Sequence, residues 1–147
     1  MTTIAWDGRT LAGDTLVVTA CMRTPCERKV FRLVTDPGPV VLLGVSGDEG
    51  VAMRLVQWVQ RGALEADTPK FEKDSVTAIM IMKDGAFRID STCHPLKLMT
   101  PFHAVGMGRD YAMAAMHLGK SAREAVELAA VYDIYTGGDI IEVSFDG

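Results

Sequence analysis

Short runs rich in apolar and β-branched residues, separated by turn-forming residues, occupy the first third of the chain, and this pattern is typical of strands rather than helices. Five short runs with this pattern occupy residues 2–6, 9–14, 16–20, 30–33 and 40–46. The first two runs meet at Asp7-Gly8, a dipeptide that favours a tight hairpin turn. The sequence therefore predicts five strands before the first helix.

Apolar residues recur at helical intervals over residues 49–62 and 109–118, and again in a segment that begins at Ser121. Ser121 and Glu124 have the spacing of a capping box. The buried stripe of this last helix is predicted to consist of Ala125, Val126, Leu128, Ala129 and Tyr132. Further strands are predicted over residues 75–82, 86–89, 102–105 and 140–145, with residues 91–101 as an irregular connector.

Blocks of strands separated by helices favour stacked layers with mainly antiparallel sheets and with helices on the outer faces. The chain has 147 residues, of which 48% are apolar. A chain of this size can bury a core without disulfides or a structural metal. We therefore expect a single domain over residues 1–147.

The charge balance argues against nucleic acid as a partner, because 19 acidic residues outnumber 15 basic ones and give a net charge of −4. No apolar run approaches the roughly 20 residues of a membrane-spanning helix, and no signal peptide is recognisable. Three cysteines, Cys21, Cys26 and Cys93, are too few for a disulfide scaffold. We expect a cytoplasmic protein that binds neither nucleic acid nor membrane, and that needs no metal or cofactor.

The start of the chain carries the most informative chemistry. Met1 precedes Thr2, and a small second residue generally permits removal of the initiating methionine. A free N-terminal threonine supplies its hydroxyl as a nucleophile and its own α-amine as the proton acceptor. The ordinary pKa of that amine, about 7.7–8.0, is close to the working pH. We therefore expect Met1 to be removed; if it is retained, Thr2 has no such base.

Several short segments, in the order in which they occur, resemble the β-subunits of the proteasome and their bacterial relative HslV, which are N-terminal nucleophile (Ntn) hydrolases. The segments are Thr2-Thr-Ile-Ala, Ala12-Gly-Asp14, Arg28-Lys-Val-Phe-Arg-Leu33, Gly44-Val-Ser-Gly47, Val105-Gly-Met-Gly-Arg-Asp-Tyr-Ala112 and Asp133-Ile-Tyr-Thr-Gly-Gly138. The resemblance runs nearly from end to end. It implies an α+β fold, a four-layer α/β/β/α sandwich of two antiparallel sheets.

The resemblance also implies roles for individual residues. Thr2 matches the nucleophile, and Lys29 matches a lysine whose positive charge favours loss of a proton from the threonine. Asp14 matches the aspartate that keeps this lysine charged and oriented. Gly47 matches the glycine whose backbone N–H stabilises the oxyanion of the tetrahedral intermediate, and Val45 matches a wall of the pocket for the substrate side chain before the cut bond.

Three further positions concern the amine of the nucleophile in the resembled family. Asp133 and Thr136 match an Asp-x-x-Ser pair that hydrogen-bonds around this amine, with threonine in place of serine. Met107 departs from the family pattern, because Gly-Met-Gly stands where relatives have Gly-Ser-Gly, and a thioether cannot donate a hydrogen bond.

The implied function is a self-compartmentalising threonine peptidase that acts on peptides or unfolded proteins. Subunits of this family assemble, so a homo-oligomeric ring or spiral is expected, and an AAA+ unfoldase is implied as a partner by analogy. Two alternatives stay open: a catalytically impaired scaffold or assembly protein, which Met107 favours, and an Ntn hydrolase of small amides.

Overall fold

The computed structural model describes residues 2–25, 28–35 and 38–146. The strands are β1 (Thr3–Trp6), β2 (Leu11–Gly13), β3 (Leu16–Thr19), β4 (Met22–Pro25), β5 (Val30–Val34), β6 (Val40–Gly47), β7 (Val76–Met82), β8 (Gly85–Asp90), β9 (Leu96–Lys97), β10 (His103–Gly106) and β11 (Ile141–Val143). The helices are α1 (Glu49–Gln60), α2 (Arg109–His117) and α3 (Ala122–Tyr132), with a 3₁₀ turn at Glu65–Asp67.

Two larger sheets and one short ribbon make up the β structure. The first sheet has four strands in the order β10-β1-β2-β11, the second has five in the order β5-β6-β7-β8-β9, and β3 and β4 form a separate two-stranded ribbon. All pairings among these strands are antiparallel. The predicted α+β class with antiparallel sheets is therefore confirmed.

The apolar core is divided into three clusters by the sheets. The inner cluster contains residues of both sheets, such as Ile4 of β1 and Leu42 of β6. A second cluster joins α1 to the other face of the second sheet, through residues such as Val45 and Leu55. The third joins α2 and α3 to the first sheet and is built largely from alanines, so the helices approach the strands closely.

Several local predictions are corrected by the structure. Asp7-Gly8 does not form a two-residue turn, because Trp6 pairs with Leu11 and leaves a four-residue loop, in which the Asp7 carboxylate accepts hydrogen bonds from the amides of Arg9 and Thr10. Strand β4 was not expected, so six strands rather than five precede α1. The connector over residues 91–101 contains the short strand β9.

The capping box of α3 is confirmed, since Ser121 and Glu124 exchange side-chain to backbone hydrogen bonds. The predicted buried stripe of this helix is wrong at two positions. Ala125, Val126 and Ala129 are buried, whereas Leu128 is 38% exposed and Tyr132 is 63% exposed. Tyr132 instead stacks on Tyr111 of α2, with ring centroids 5.5 Å apart.

The helices of the described residues include none that is long and apolar enough to cross a membrane. Cys21 and Cys93 are free thiols. Met1 and Cys26, which entered the sequence predictions, lie outside the described residues.

Candidate active site

The first residues of the chain place two threonines on opposite faces of the first sheet. Side chains alternate along a strand, so Thr2 shares the face of Ile4, which belongs to the inner cluster. Thr3 shares the face of Ala5, which packs against α2 and α3. Both threonines are buried. Each hydroxyl therefore enters a different layer of the protein.

Thr2 meets Asp14 and Lys29 between the sheets. The Thr2 hydroxyl donates to Asp14 Oδ1, and the Lys29 ammonium donates to Thr2 Oγ1. Asp14 follows β2, which pairs with β1, whereas Lys29 precedes β5 of the second sheet. The three residues are far apart in sequence, and sheet packing brings them together as the resemblance implied.

The charges in this cluster are compensated. Asp14 is fully buried and accepts from the amides of Thr3 at 3.1 Å and Gly137 at 3.0 Å, and it forms an ion pair of 3.3 Å with Lys29. Lys29 also donates to the carbonyl oxygen of Leu16. Separating the two members of this buried ion pair would leave an uncompensated charge, which is energetically costly. The ammonium is consequently fixed against the hydroxyl oxygen of Thr2.

Thr3 forms a hydrogen bond with the uncharged side chain of Thr136, which in turn contacts Asp133. The Thr136 hydroxyl donates to Asp133 Oδ2 at 2.6 Å and lies 2.7 Å from Thr3 Oγ1. Since the single proton of the Thr136 hydroxyl goes to Asp133, Thr3 is the donor of the second bond. The structure thus brings the Asp133–Thr136 pair to Thr3, the neighbour of the predicted nucleophile, rather than to the side chain of Thr2.

Two glycines permit the approach of the chain start to the β10–α2 turn. Gly106 has a φ of +101°, and a Cβ at this position would overlap the carbonyl oxygen of Thr2. A Cβ on Gly108 would overlap Thr3 Oγ1. Met107 between them is 51% exposed. The side chain of Met107, at the position where the resemblance implies a serine, is therefore not buried.

Gly47 and Val45 line a cavity of about 50 Å³ that also exposes Thr2 and Lys29. Gly47 ends β6 with a φ of +128°, and a Cβ there would overlap the Ser75 carbonyl oxygen, so only glycine fits without strain. Val45 belongs to the cluster beneath α1. Ala52 and Met53 of α1 complete the apolar side of the cavity.

The structure therefore gathers Thr2, Lys29, Val45 and Gly47 around one cavity and places Asp14 behind it, against Thr2 and Lys29. It places Asp133 and Thr136 beside Thr3. Sequence reasoning missed Thr3 as a participant. Its position next to Thr2 was the available signal, whereas its pairing with Gly106 is seen only in the structure. Among the described residues, no group of three or more His, Cys, Asp or Glu side chains is arranged to hold a metal ion.

No family model and no curated protein sequence matches this chain. Solved structures do match it over nearly its whole length. Thiobacillus denitrificans BPH in complex with epoxomicin has a TM-score of 0.70 and 16% identity, and the match covers 97% of this chain and 96% of BPH. Eukaryotic HslV from Trypanosoma brucei has a TM-score of 0.67 and 18% identity, over 97% and 98% of the two chains.

A third similar structure is the Anbu (Gly-1) mutant from Hyphomicrobium sp. strain MC1, with a TM-score of 0.75 and 13% identity. That match covers 99% of this chain and 82% of Anbu. The chain therefore has the fold of BPH, HslV and Anbu, which confirms the predicted resemblance at the level of the fold.

Proposed function

We propose that residues 1–147 form one Ntn-hydrolase domain, a four-layer α/β/β/α sandwich that works as a threonine peptidase once Met1 is removed. The observation that carries this proposal is the Thr2 hydroxyl, held between the Asp14 carboxylate and the Lys29 ammonium at the edge of a cavity. A buried pair of lysine and aspartate could stabilise the fold without lying beside a cavity. A nucleophile requires the charged pair, which activates its hydroxyl, and also the cavity, which admits the substrate.

In the proposed first step, Thr2 Oγ1 attacks the carbonyl carbon of a peptide bond while its proton passes to the α-amine of the same residue. The Lys29 charge stabilises the negative charge that develops on Oγ1, and the Gly47 amide donates to the oxyanion of the tetrahedral intermediate. The C–N bond then breaks, and the leaving nitrogen takes the proton from the amine. The product is an ester of Thr2.

In the proposed second step, water attacks this ester and gives a proton to the amine. The bond between the acyl carbon and Oγ1 breaks, and the proton returns to Oγ1. The acid product leaves, and Thr2 is regenerated with its hydroxyl and free amine. No metal or cofactor takes part in either step.

The substrate side chain before the cut bond enters the cavity beside Val45, which gives it an apolar wall together with Ala52. Asp133 and Thr136 act through Thr3, by holding the second residue of the mature chain and so fixing the direction of the amine. Their role is positioning rather than proton transfer. The substrate class is peptides or unfolded protein chains.

We further propose that the protein is a cytoplasmic homo-oligomer, closed as a ring or open as a spiral. The outer surface around α2 and α3 leaves large apolar side chains uncovered in the single chain: Leu118 is 78% exposed, Val131 71% and Ile134 70%. Exposed apolar surface of this kind is common where protein subunits meet. An AAA+ unfoldase remains a proposal by analogy with self-compartmentalising peptidases.

The alternative is a scaffold or assembly protein with impaired catalysis, which the half-exposed Met107 in place of serine favours. A hydrolase of small amides would keep the same Thr2 chemistry and differ only in its substrate. Hydrolysis of peptides and of simple amides, measured on the same preparation, distinguishes a hydrolase of small amides from a peptidase.

Epoxomicin tests the proposal, because its ketone and its epoxide each require a nucleophile, and a free N-terminal threonine offers a hydroxyl and an amine side by side. We expect intact-protein mass spectrometry to show a chain that starts at Thr2 and gains one epoxomicin. Thr2→Ser should keep the adduct and Thr2→Ala should lose it. An adduct that persists in Thr2→Ala, or a parent chain that keeps Met1 and still hydrolyses peptides, contradicts the assignment.

A further inference from the structure

The buried hydroxyl of Ser46 differs in its hydrogen bonding from the other buried hydroxyls of the described residues. Its side chain is 6% exposed, yet no described residue forms a hydrogen bond with its hydroxyl. The other buried hydroxyls of the described residues all have partners, and they belong to Thr2, Thr3, Thr15, Thr35 and Thr136. Leaving a buried hydroxyl without a partner costs folding free energy. Such a group in a native site calls for an explanation.

The Ser46 oxygen is open to the catalytic cavity. No fully enclosed polar side-chain atom of the described residues lacks a partner, so an unbonded hydroxyl must retain contact with open space. The space that Ser46 lines is the cavity that also exposes Thr2, Lys29 and Gly47. Its missing partner is therefore a molecule that enters this cavity.

Strand alternation directs Ser46 toward the start of the chain. On β6, Ser46 shares the face of Leu42, which points between the sheets into the inner cluster. Thr2 enters the same layer from the opposite sheet. Ser46 Oγ lies 3.2 Å from the position of a Cβ on Gly106, and the Thr2 carbonyl oxygen borders the same point. The Ser46 hydroxyl and the main chain of Thr2 thus both lie close to Gly106.

We propose that Ser46 holds the water that hydrolyses the acyl-enzyme, next to the α-amine of Thr2. This inference rests on the proposed function, since it requires an ester on Thr2 Oγ1 and a free amine. The water donates one proton to the amine as its oxygen attacks the ester carbon, and the Ser46 hydroxyl fixes the oxygen by a hydrogen bond. The amine returns the proton to Oγ1 when the ester bond breaks, and Ser46 ends unchanged.

The cavity has the room and polarity that this role requires. A bound water needs roughly 10–15 Å³ of such space and two to four polar partners, and the cavity measures about 50 Å³. The Ser46 hydroxyl and the Thr2 amine supply two partners on the side facing the sheets. The Met107 side chain, in the turn that borders Thr2, cannot donate a hydrogen bond, whereas Ser46 brings a hydroxyl close to Thr2 from β6. Ser46 acts through the water and is a positioning residue.

The test compares the full-length parent with Ser46→Ala and Ser46→Thr, and uses Thr35→Val as the matched control. Thr35 also has a buried hydroxyl, but it donates to the Pro39 carbonyl in the β5–β6 turn. Four quantities are measured: kcat and KM on a fluorogenic peptide, the rate of epoxomicin labelling, the acyl-enzyme population by intact mass, and Tm.

Ser46→Ala is expected to lower kcat about tenfold, in line with loss of one hydrogen bond, with acyl-enzyme accumulating on Thr2. Labelling by epoxomicin should be unchanged, because that reaction needs no water. Its Tm should stay level or rise, because an unbonded hydroxyl has been removed. Ser46→Thr should keep most of the parent's kcat. Thr35→Val should show the opposite pattern, with a lower Tm and an unchanged kcat.

The inference is overturned if Ser46→Ala keeps the parent's kcat, if it lowers kcat with no acyl-enzyme accumulation, or if its Tm and labelling rate fall together, which indicates a structural role. Failure of the proposed function looks different. In that case the parent itself neither labels nor cleaves, or Thr2→Ala remains active, and the inference about Ser46 falls with it.

Discussion

Thr2 and Thr3 are adjacent residues of the same type, and both are buried, yet their surroundings differ in kind. Thr2 lies between a carboxylate and an ammonium, beside a cavity. Thr3 lies in an uncharged contact with another threonine, under the helix pair. Strand alternation thus gives adjacent residues different surroundings, and the proposed function assigns them different tasks: Thr2 reacts, and Thr3 holds the start of the chain in place.

The largest effect is expected from Thr2→Val, which keeps the shape of the side chain and removes the nucleophile. Peptide hydrolysis should fall by at least about a thousandfold. The free energy of unfolding should change by only about 1–3 kcal/mol, since one partner of Asp14 is lost. Activity assays and urea unfolding measure the two effects. Measurable turnover in Thr2→Val would place the nucleophile elsewhere.

Lys29→Met should affect activity and stability together. It leaves the fully buried Asp14 without its cation, a change that costs about 3–5 kcal/mol, and it removes the charge beside Thr2 Oγ1. We expect activity to fall at least about a hundredfold and Tm to drop sharply. Lys120→Met, at a side chain that is 60% exposed, is the control and should change stability by less than about 0.5 kcal/mol.

Thr3→Val tests the other face. It breaks the bond to Thr136 and should cost about 1 kcal/mol of unfolding free energy, with a fall in kcat of a few fold as the amine loses some of its fixed direction. Thr136→Val should give a similar result. A thousandfold loss of activity in Thr3→Val would show that the chemistry is not confined to the face of Thr2.

The smallest effect is expected at the α3 cap, which contacts neither threonine. Ser121→Ala should cost about 1 kcal/mol and leave kcat unchanged. Hydrogen bonds from the Ser121 amide and side chain lower the pKa of Glu124 below its ordinary 4.5. The folded state therefore gains stability from this group above pH 4.5, and loses it as the pH falls through the lowered pKa. Urea unfolding at a series of pH values should show that the free energy of unfolding of Ser121→Ala falls less steeply with decreasing pH than that of the parent.

The strands and the charged cluster could be predicted because their signals are local or belong to short motifs. Thr2, Asp14 and Lys29 each lie in a short segment that matches the resembled family in the same order. The ribbon partner β4 could not be found this way, because Ala20 and Cys21 make its turn with positive φ, which their residue types do not indicate.

The apolar pattern of the sequence also could not predict which side chains of the outer helices are buried. Leu128 and Tyr132 have the spacing of a core stripe and still face outward, because the alanine-rich cluster beneath α2 and α3 is already filled by smaller side chains. Ser46 is the last residue of the strand that the sequence predicts over residues 40–46. Its significance depends on the lack of a hydrogen-bond partner, which only the packed sheets reveal.

The central claim is that the freed amine of Thr2 is the base. It is tested most directly with a small domain fused immediately ahead of Thr2 and then removed by its own site-specific protease. The account predicts no peptide hydrolysis and no epoxomicin adduct before removal, and both after it, in the same sample. Equal hydrolysis before and after removal would contradict the account.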